Sequence, residues 1–203
     1  MKIVCISDTH TLHRQVEVPD GDVLIHAGDL CNRGTRGEVK QFMAWLAELP
    51  HRHKIFIAGN HDWPFYKFPR FAKRWVKHGI YLQDTSVTIE RVKFYGSPWQ
   101  PEFYDWAFNL PRGKHLARVW SCIPEDTDVL ITHPPPLGIL DAGDRLGGED
   151  LARRIQELSL KLHVFGHVHL GHGTEERENT TFVNASICDI DYRPVQAPIV
   201  VEL

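Results

Sequence analysis

Apolar residues along this chain fall into short runs, each closed by a polar cluster. The runs are Ile3-Val4-Cys5-Ile6, Val23-Leu24-Ile25, Ile55-Phe56-Ile57-Ala58, Val129-Leu130-Ile131 and Leu162-His163-Val164-Phe165. Short, β-rich and bounded by Gly, Pro, Asp or Asn, they read as strands covered on both faces. Between them, Val39, Phe42, Met43, Leu46 and Leu49 form one apolar stripe, which predicts a helix over Glu38–Leu49. Further helices are expected over Phe68–His78, Lys114–Ser121 and, after Gly147-Gly148, Glu149–Leu158. Alternation in Val87, Ile89, Val92 and Phe94 around Glu90-Arg91 predicts a hairpin, and Thr180–Asn184 and Pro198–Leu203 read as extended. The expected fold is α/β with α+β-like layering: two mixed β-sheets packed as a sandwich and flanked by helices. No repeat or linker interrupts it, so residues 1–203 are expected to form one domain.

Composition narrows the function classes. The 203 residues suit one well-buried domain, and 42% hydrophobic with 24% charged residues excludes a disordered chain. A formal net charge of −3 gives no general pull toward a nucleic-acid polymer or an anionic membrane. No apolar stretch approaches the length of a membrane span, and a strand that starts at Lys2 leaves no room for a signal peptide. Cys5, Cys31, Cys122 and Cys188 show no CxxC spacing and read as isolated reduced thiols, Cys5 and Cys188 in the core; the expected compartment is the cytoplasm.

The chemistry lies in the polar clusters at the strand ends. They are Asp8-Thr9-His10, Gly28-Asp29, Gly59-Asn60-His61-Asp62, Thr132-His133 and Gly166-His167-Val168-His169. Asp, Asn and His offer oxygen and imidazole nitrogen without thiolate, a donor set for divalent transition metals. Asp8 and His10, like His167 and His169, are two residues apart, which on extended backbone puts both side chains on one side. In an α/β sheet, ligands gather at the carboxyl ends of strands. Any one of these Asp or Asn residues could be a turn or capping residue instead, but five such clusters in register point to a metal site.

Asp-x-His, Gly-Asp, Gly-Asn-His-Asp, a lone His and Gly-His-x-His, in that order, resemble the calcineurin-like metallophosphoesterases over essentially the whole chain. A closer likeness is to the metallophosphoesterase-domain-containing, class III phosphodiesterase-like proteins. It rests on Cys-Ile-Ser-Asp-Thr-His (5–10), Ile-Ala-Gly-Asn-His (57–61), Tyr-Leu-Gln-Asp (81–84), Phe-Asn-Leu-Pro-Arg-Gly (108–113), Pro-Pro-Leu-Gly (135–138) and Lys-Leu-His-Val-Phe-Gly (161–166). The resemblance implies two divalent metal ions. One would be held by Asp8, His10, Asp29 and His169 and the other by Asp29, Asn60, His133 and His167, with Asp29 and a hydroxide bridging them. Manganese is the leading expectation, and iron, cobalt, nickel or zinc suit the same donors.

It further implies that His61 is a catalytic acid at the leaving group and that Asn60, His61 and Arg145 contact substrate; Arg33 either forks onto the phosphate or faces solvent from its loop. The free N–H groups of Gly147-Gly148, at a predicted helix start, either bind a phosphate or nucleotide or mark no more than a flexible loop and helix boundary. His13 is expected at the substrate mouth, and Trp63, Trp99, Phe103 and Trp106 as base-stacking or, more commonly, core residues. The expected activity is hydrolysis of small phosphodiesters, cyclic nucleotides among them, by attack of the bridging hydroxide. The alternatives are a phosphomonoesterase or protein phosphatase, and a non-catalytic nucleotide-binding scaffold. Gly28–Gly34 resembles the protein-phosphatase motif Gly-Asp-x-x-Asp-Arg-Gly, but Asn32 stands where those enzymes have an Asp that orients the catalytic His. Retention of His61, His167 and His169 speaks against the scaffold.

Overall fold

Side-chain alternation in the first strand sets the layering. Ile3 and Cys5 enter one apolar cluster, Val4 and Ile6 another, and all four are fully buried. The computed structural model, which describes residues 1–143 and 146–203, shows what covers each face. The strands are β1 (Lys2–Ile6), β2 (Val23–His26), β3 (His53–Phe56), β4 (Ile80–Tyr81), β5 (Thr85–Ile89), β6 (Val92–Ser97) and β7 (Gln100–Pro101). They continue as β8 (Asn109–Leu110), β9 (Val129–Thr132), β10 (Leu162–Phe165), β11 (Gly173–Arg177), β12 (Thr180–Asn184) and β13 (Ile199–Glu202). The helices are α1 (Arg36–Glu48), α2 (Trp63–Lys67), α3 (Pro69–Trp75), α4 (Lys114–Trp120) and α5 (Glu149–Ile155).

One sheet has the order β13-β1-β2-β3-β4, the other β11-β12-β10-β9-β6-β5, and β7 pairs with β8 apart from both. The inner strands of each large sheet are parallel, with antiparallel β13 at one edge of the first and antiparallel β5 and β11 at the edges of the second. Ile3, Cys5, Ile25 and Ile55 meet Phe94, Ile131, Val164 and Val183 between the sheets. The outer face of the first sheet packs on α1, α2 and α3 through Val4, Leu24, Phe42, Phe56 and Phe65. That of the second packs on α4 and α5 through Tyr95, Leu130, Trp120 and Leu151. The result is the expected pair of mixed sheets between helices.

Local chemistry accounts for most boundaries. Thr35 caps α1 reciprocally with Glu38, so the helix starts at Arg36, two residues before the expected Glu38. The expected helix over Phe68–His78 is two helices instead. Pro69 has no N–H to donate and pushes Phe68 out of the helical region to φ −133° and ψ 53°, so α2 ends there and α3 starts afresh. The hairpin falls where the alternation places it, with Glu90 and Arg91 both left-handed at φ 49° and 71°, as a two-residue primed turn requires. The short β4, β7 and β8 and the polar β11 carry no periodicity that the sequence makes visible. Cys5, Cys31 and Cys188 are buried, Cys122 is exposed, and none is paired. Among the described residues no helix is long and apolar enough to cross a membrane.

Candidate metal centre

The carboxyl ends of β1, β2, β3, β9 and β10 open onto one cleft of about 370 Å³. Asp8, His10, Asp29, Asn60, His61 and His133 are buried around its floor, and His167 and His169 are half-buried. The backbone that brings them there is not extended, contrary to the alternation argument. Asp8, His10, Asp29 and His167 are left-handed, at φ 51°, 40°, 54° and 68°. Non-glycine residues rarely adopt this region, and where they do the strain concentrates at functional sites. The loops after β1 and β2 lock each other: Asp8 N–H donates to Gly28 O at 2.9 Å and His10 N–H to Asp29 O at 3.0 Å. Two glycines are steric necessities. A side chain at Gly59 would run into Asp29 and His133, and one at Gly166 into Asp8 and Ser7.

The imidazoles are oriented from behind. Nδ1 of His133 lies 3.0 Å from Ala27 O, that of His169 2.9 Å from Asp189 O, that of His61 2.7 Å from Asn32 O and that of His10 3.3 Å from Cys31 O. A carbonyl only accepts, so each Nδ1 carries the proton and each Nε2 turns inward. There the Nε2 atoms face oxygen or one another. Asp29 Oδ2 lies 3.5 Å from His133 Nε2, 3.8 Å from His10 Nε2 and 4.0 Å from His61 Nε2. Asp8 Oδ1 lies 3.6 Å from His169 Nε2, and His10 Nε2 is 3.4 Å from His169 Nε2. His133 Nε2 sits 2.8 Å from Asn60 Oδ1.

Converging lone pairs of this kind are reconciled by a proton or a shared cation, and oxygen with imidazole nitrogen is the donor chemistry of divalent transition metals. Donor atoms of Asp8, His10 and His169, of Asp8, Asp29 and His133, and of His10, Asp29 and His61 each cluster within 4.8 Å. The residues therefore fit a metal pair sharing Asp29. His167 lies beside His133, 5.0 Å between ring centroids.

Charge follows the same plan. Burial works against ionisation of Asp8 and Asp29, yet His169 holds Asp8, and His133 holds Asp29, well below the usual carboxylate range. Burial also disfavours imidazolium, and it wins at His10 and His167, which fall to about 4. At His133 and His169 the carboxylates outweigh it and raise both to about 9. The site is thus built to hold positive charge beside Asp8 and Asp29.

Several supporting residues carry no signal in the ligand motifs. The Ser186 hydroxyl lies 2.8 Å from Asp8 Oδ2, and His167 N–H donates to the same carboxylate at 3.0 Å. Asp62, in the Gly-Asn-His-Asp cluster, points away from the cleft and accepts N–H groups of Gly59, Cys31 and Leu30 at 2.7, 2.9 and 3.3 Å. Burial and the neighbouring Asp29 push its carboxyl up to about 7. Tyr192 packs edge-on to His10 at 4.6 Å, and Trp106 stacks on His61 with 4.3 Å between centroids. Arg112 lines the cleft, where sequence reasoning placed Arg33 and Arg145.

Other expectations find different places. Arg33 is exposed and lines a separate cavity with Arg36, Trp63, Lys67 and Trp75. Arg145 lies outside the described residues. The N–H groups of Gly147 and Gly148 are taken by Asp141 and by Pro135 O, at 3.3 and 2.9 Å, so they are not open to phosphate. His13 does not line the mouth: it is buried against Phe42 and Trp45. Trp63 and Trp99 pack against the first core, whereas Phe103 and Trp106 line the cleft.

Comparison with known proteins decides the family. The calcineurin-like phosphoesterase family matches residues 1–171. The chain belongs to that family. It is 45% identical to human metallophosphoesterase domain-containing protein 1 over all of its own length and 71% of the relative's. A UPF0046 protein of Caenorhabditis elegans is 41% identical, over 96% of this chain and 74% of the other. The solved structure of TT1561 from Thermus thermophilus shares the fold, with a TM-score of 0.62 at 14% identity over 90% of this chain and 88% of that one. As a calcineurin-like metallophosphoesterase, the chain is a phosphoric ester hydrolase of a divalent-metal-dependent family, with the cleft residues as its candidate ligands.

Proposed function

We propose that this metallophosphoesterase is a phosphodiesterase for small substrates, working with two divalent metal ions held by Asp8, His10, Asp29, Asn60, His133, His167 and His169. Manganese is the ion to load first. Such a pair supplies Lewis acidity at the phosphoryl oxygens and lowers the pKa of a bound water. The protein's part falls to His61. With Nδ1 tied to Asn32 O, its Nε2 faces the cleft 4.0 Å from Asp29 Oδ2, and Trp106 holds the ring flat. Carrying a second proton on Nε2, it would deliver that proton to the departing ester oxygen. Asn60 and Arg112 flank the same space and would hold the phosphate oxygens.

The observation that carries the diester reading is the make-up of the cleft wall. Around the metal-facing groups stand Phe103, Trp106, Leu170, Ile190 and Tyr192, and Arg112 is the one guanidinium among the described lining residues. A monoester is largely a dianion at neutral pH, because its second pKa is near 6. A diester is a monoanion with a second organic arm to bury. Among the described residues the lining is largely apolar, with one guanidinium and the carboxylate of Glu102, and such a wall favours the latter. Unpaired cysteines suit a reducing compartment, which supports placing the enzyme in the cytoplasm. The test is turnover of bis(p-nitrophenyl) phosphate against p-nitrophenyl phosphate by manganese-loaded protein. The diester is expected to be the faster; faster monoester turnover overturns the reading.

A further inference from the structure

Among the described residues the outer wall of the metal cleft is largely apolar, with Glu102 and Arg112 its charged side chains. Leu170 is 69% exposed, Ile190 62%, Phe103 50%, Leu146 48% and Tyr192 45%, and all five line the cleft. Apolar surface gathered in this way marks a place where something apolar docks. The backbone fixes it there. Leu170 follows His169 in the turn His169–Gly171, and Gly171 presses so closely on Leu140 and Asn184 that it has no room for a side chain. With the turn held against the body at Gly171, Leu170 is left on the outside. Ile190 and Tyr192 ride on a loop pinned at both ends of Asp189. Its carbonyl accepts from His169 Nδ1 at 2.9 Å, and its carboxylate accepts the N–H groups of Asp191 and Arg193, each at 2.9 Å. Arg112 tethers the opposite wall, donating to Gly147 O at 3.0 Å and towards Leu146 O at 3.5 Å.

We propose that the preferred substrate is a phosphodiester with one extended apolar arm, alkyl or aryl, and that Phe103, Leu146, Leu170, Ile190 and Tyr192 select it. This rests on the phosphodiesterase reading and sharpens it. The phosphate lies over the metal-facing groups, and the arm runs out along the Leu170–Ile190 wall. A nucleobase would need partners for its ring nitrogens and exocyclic groups, and a greasy wall rewards surface area instead. The reaction is hydrolysis. A water oxygen bonds to phosphorus, one ester P–O bond breaks, and the departing oxygen takes up a proton, leaving a phosphomonoester and an alcohol. Within a cleft of about 370 Å³ the arm is a small-molecule chain, not a folded protein segment.

The experiment compares methyl and hexyl p-nitrophenyl phosphate, each below its aggregation threshold, with manganese-loaded protein. A fully buried methylene is worth about fourfold, so five partly buried ones should raise kcat/KM for the hexyl ester at least tenfold. Phenyl p-nitrophenyl phosphate separates an aryl arm from an alkyl one, and 3′,5′-cyclic AMP serves as the nucleotide arm. The double variant Leu170→Ser/Ile190→Ser, and Phe103→Ser as a separate test of the other wall, should shrink the hexyl-to-methyl ratio at least threefold. Equal kcat/KM for the two esters, a ratio that neither variant moves, or a preference for cyclic AMP overturns this inference and leaves the diesterase reading standing. No turnover of any diester overturns that reading, and this inference with it.

Discussion

His61 donates from Nδ1 to the main-chain carbonyl of Asn32 across 2.7 Å. In protein phosphatases, by the resemblance of Gly28–Gly34 to their motif, an Asp side chain orients this histidine. Here the backbone of the same position does so, and the side chain is free of the task. Removing the Asn32 side chain should therefore leave the ring in place: Asn32→Ala is expected within about threefold of wild-type kcat on bis(p-nitrophenyl) phosphate. His61→Ala should lower kcat by about 100-fold or more, the ordinary worth of a positioned proton donor, with metal content by mass spectrometry unchanged. A loss of metal from His61→Ala would make the residue a ligand instead.

The two crowded glycines predict losses of a different kind. Gly59→Ala sets a methyl against Asp29 and His133, and Gly166→Ala sets one against Asp8. Both variants are expected to fold, by circular dichroism, yet to bind manganese at least tenfold more weakly in calorimetric titration. Unchanged affinity would show that the carboxylates need not stand where the structure puts them.

Asp62 is a brace. Its carboxylate takes up three buried N–H groups, from Gly59, Cys31 and Leu30, and so ties the loops after β2 and β3 together. Asp62→Ala leaves those donors without an acceptor and should cost about 3 kcal/mol or more in urea unfolding. Asp62→Asn keeps one oxygen and should cost less. An Asp62→Ala variant as stable as wild type would contradict the brace.

His163 gives the fold an acid limit. The Thr132 hydroxyl donates to Pro134 O at 2.8 Å and so accepts from His163 Nε2 at 2.8 Å, and Nδ1 has no partner among the described residues. Burial lowers this imidazole to about 3. In the unfolded chain it titrates near 6.5. Because the folded value is the lower, the stability tied to neutral His163 is complete above 6.5 and is lost as the pH falls from 6.5 towards 3. At pH 4.5 the loss relative to pH 7.5 should be about 3 kcal/mol smaller in His163→Gln than in wild type. Equal pH dependence of the two unfolding free energies would contradict this.

What the sequence showed and what it hid divide along physical lines. Core strands such as β10 (Leu162–Phe165) announce themselves because both faces are buried, and each ends in a cluster of Asp, Asn or His that would suit a turn singly but recurs five times at strand ends. The eight residues from Asp8 to His169 could be gathered from that pattern alone. Their conformation could not: left-handed Asp8, His10 and Asp29 are products of loops locked together across β1 and β2. Nor could the groups that act through space. Ser186, Arg112 and Tyr192 sit far from the ligand motifs in sequence, and the bracing role of Asp62 is seen only in its hydrogen bonds. Motif position suggests a place for Arg33 in the site, whereas in the structure it is exposed and lines the separate cavity with Trp63 and Trp75.

Asp29 is the residue on which the account turns, since its Oδ2 faces His10, His61 and His133 together. Metal content of manganese-loaded wild type and Asp29→Asn, measured by mass spectrometry after removal of free ion, tests that role most directly. Two ions per wild-type chain, falling to one or fewer in Asp29→Asn together with diester turnover, is the predicted result. Fewer than two ions in wild type, or a full complement in Asp29→Asn, would contradict it.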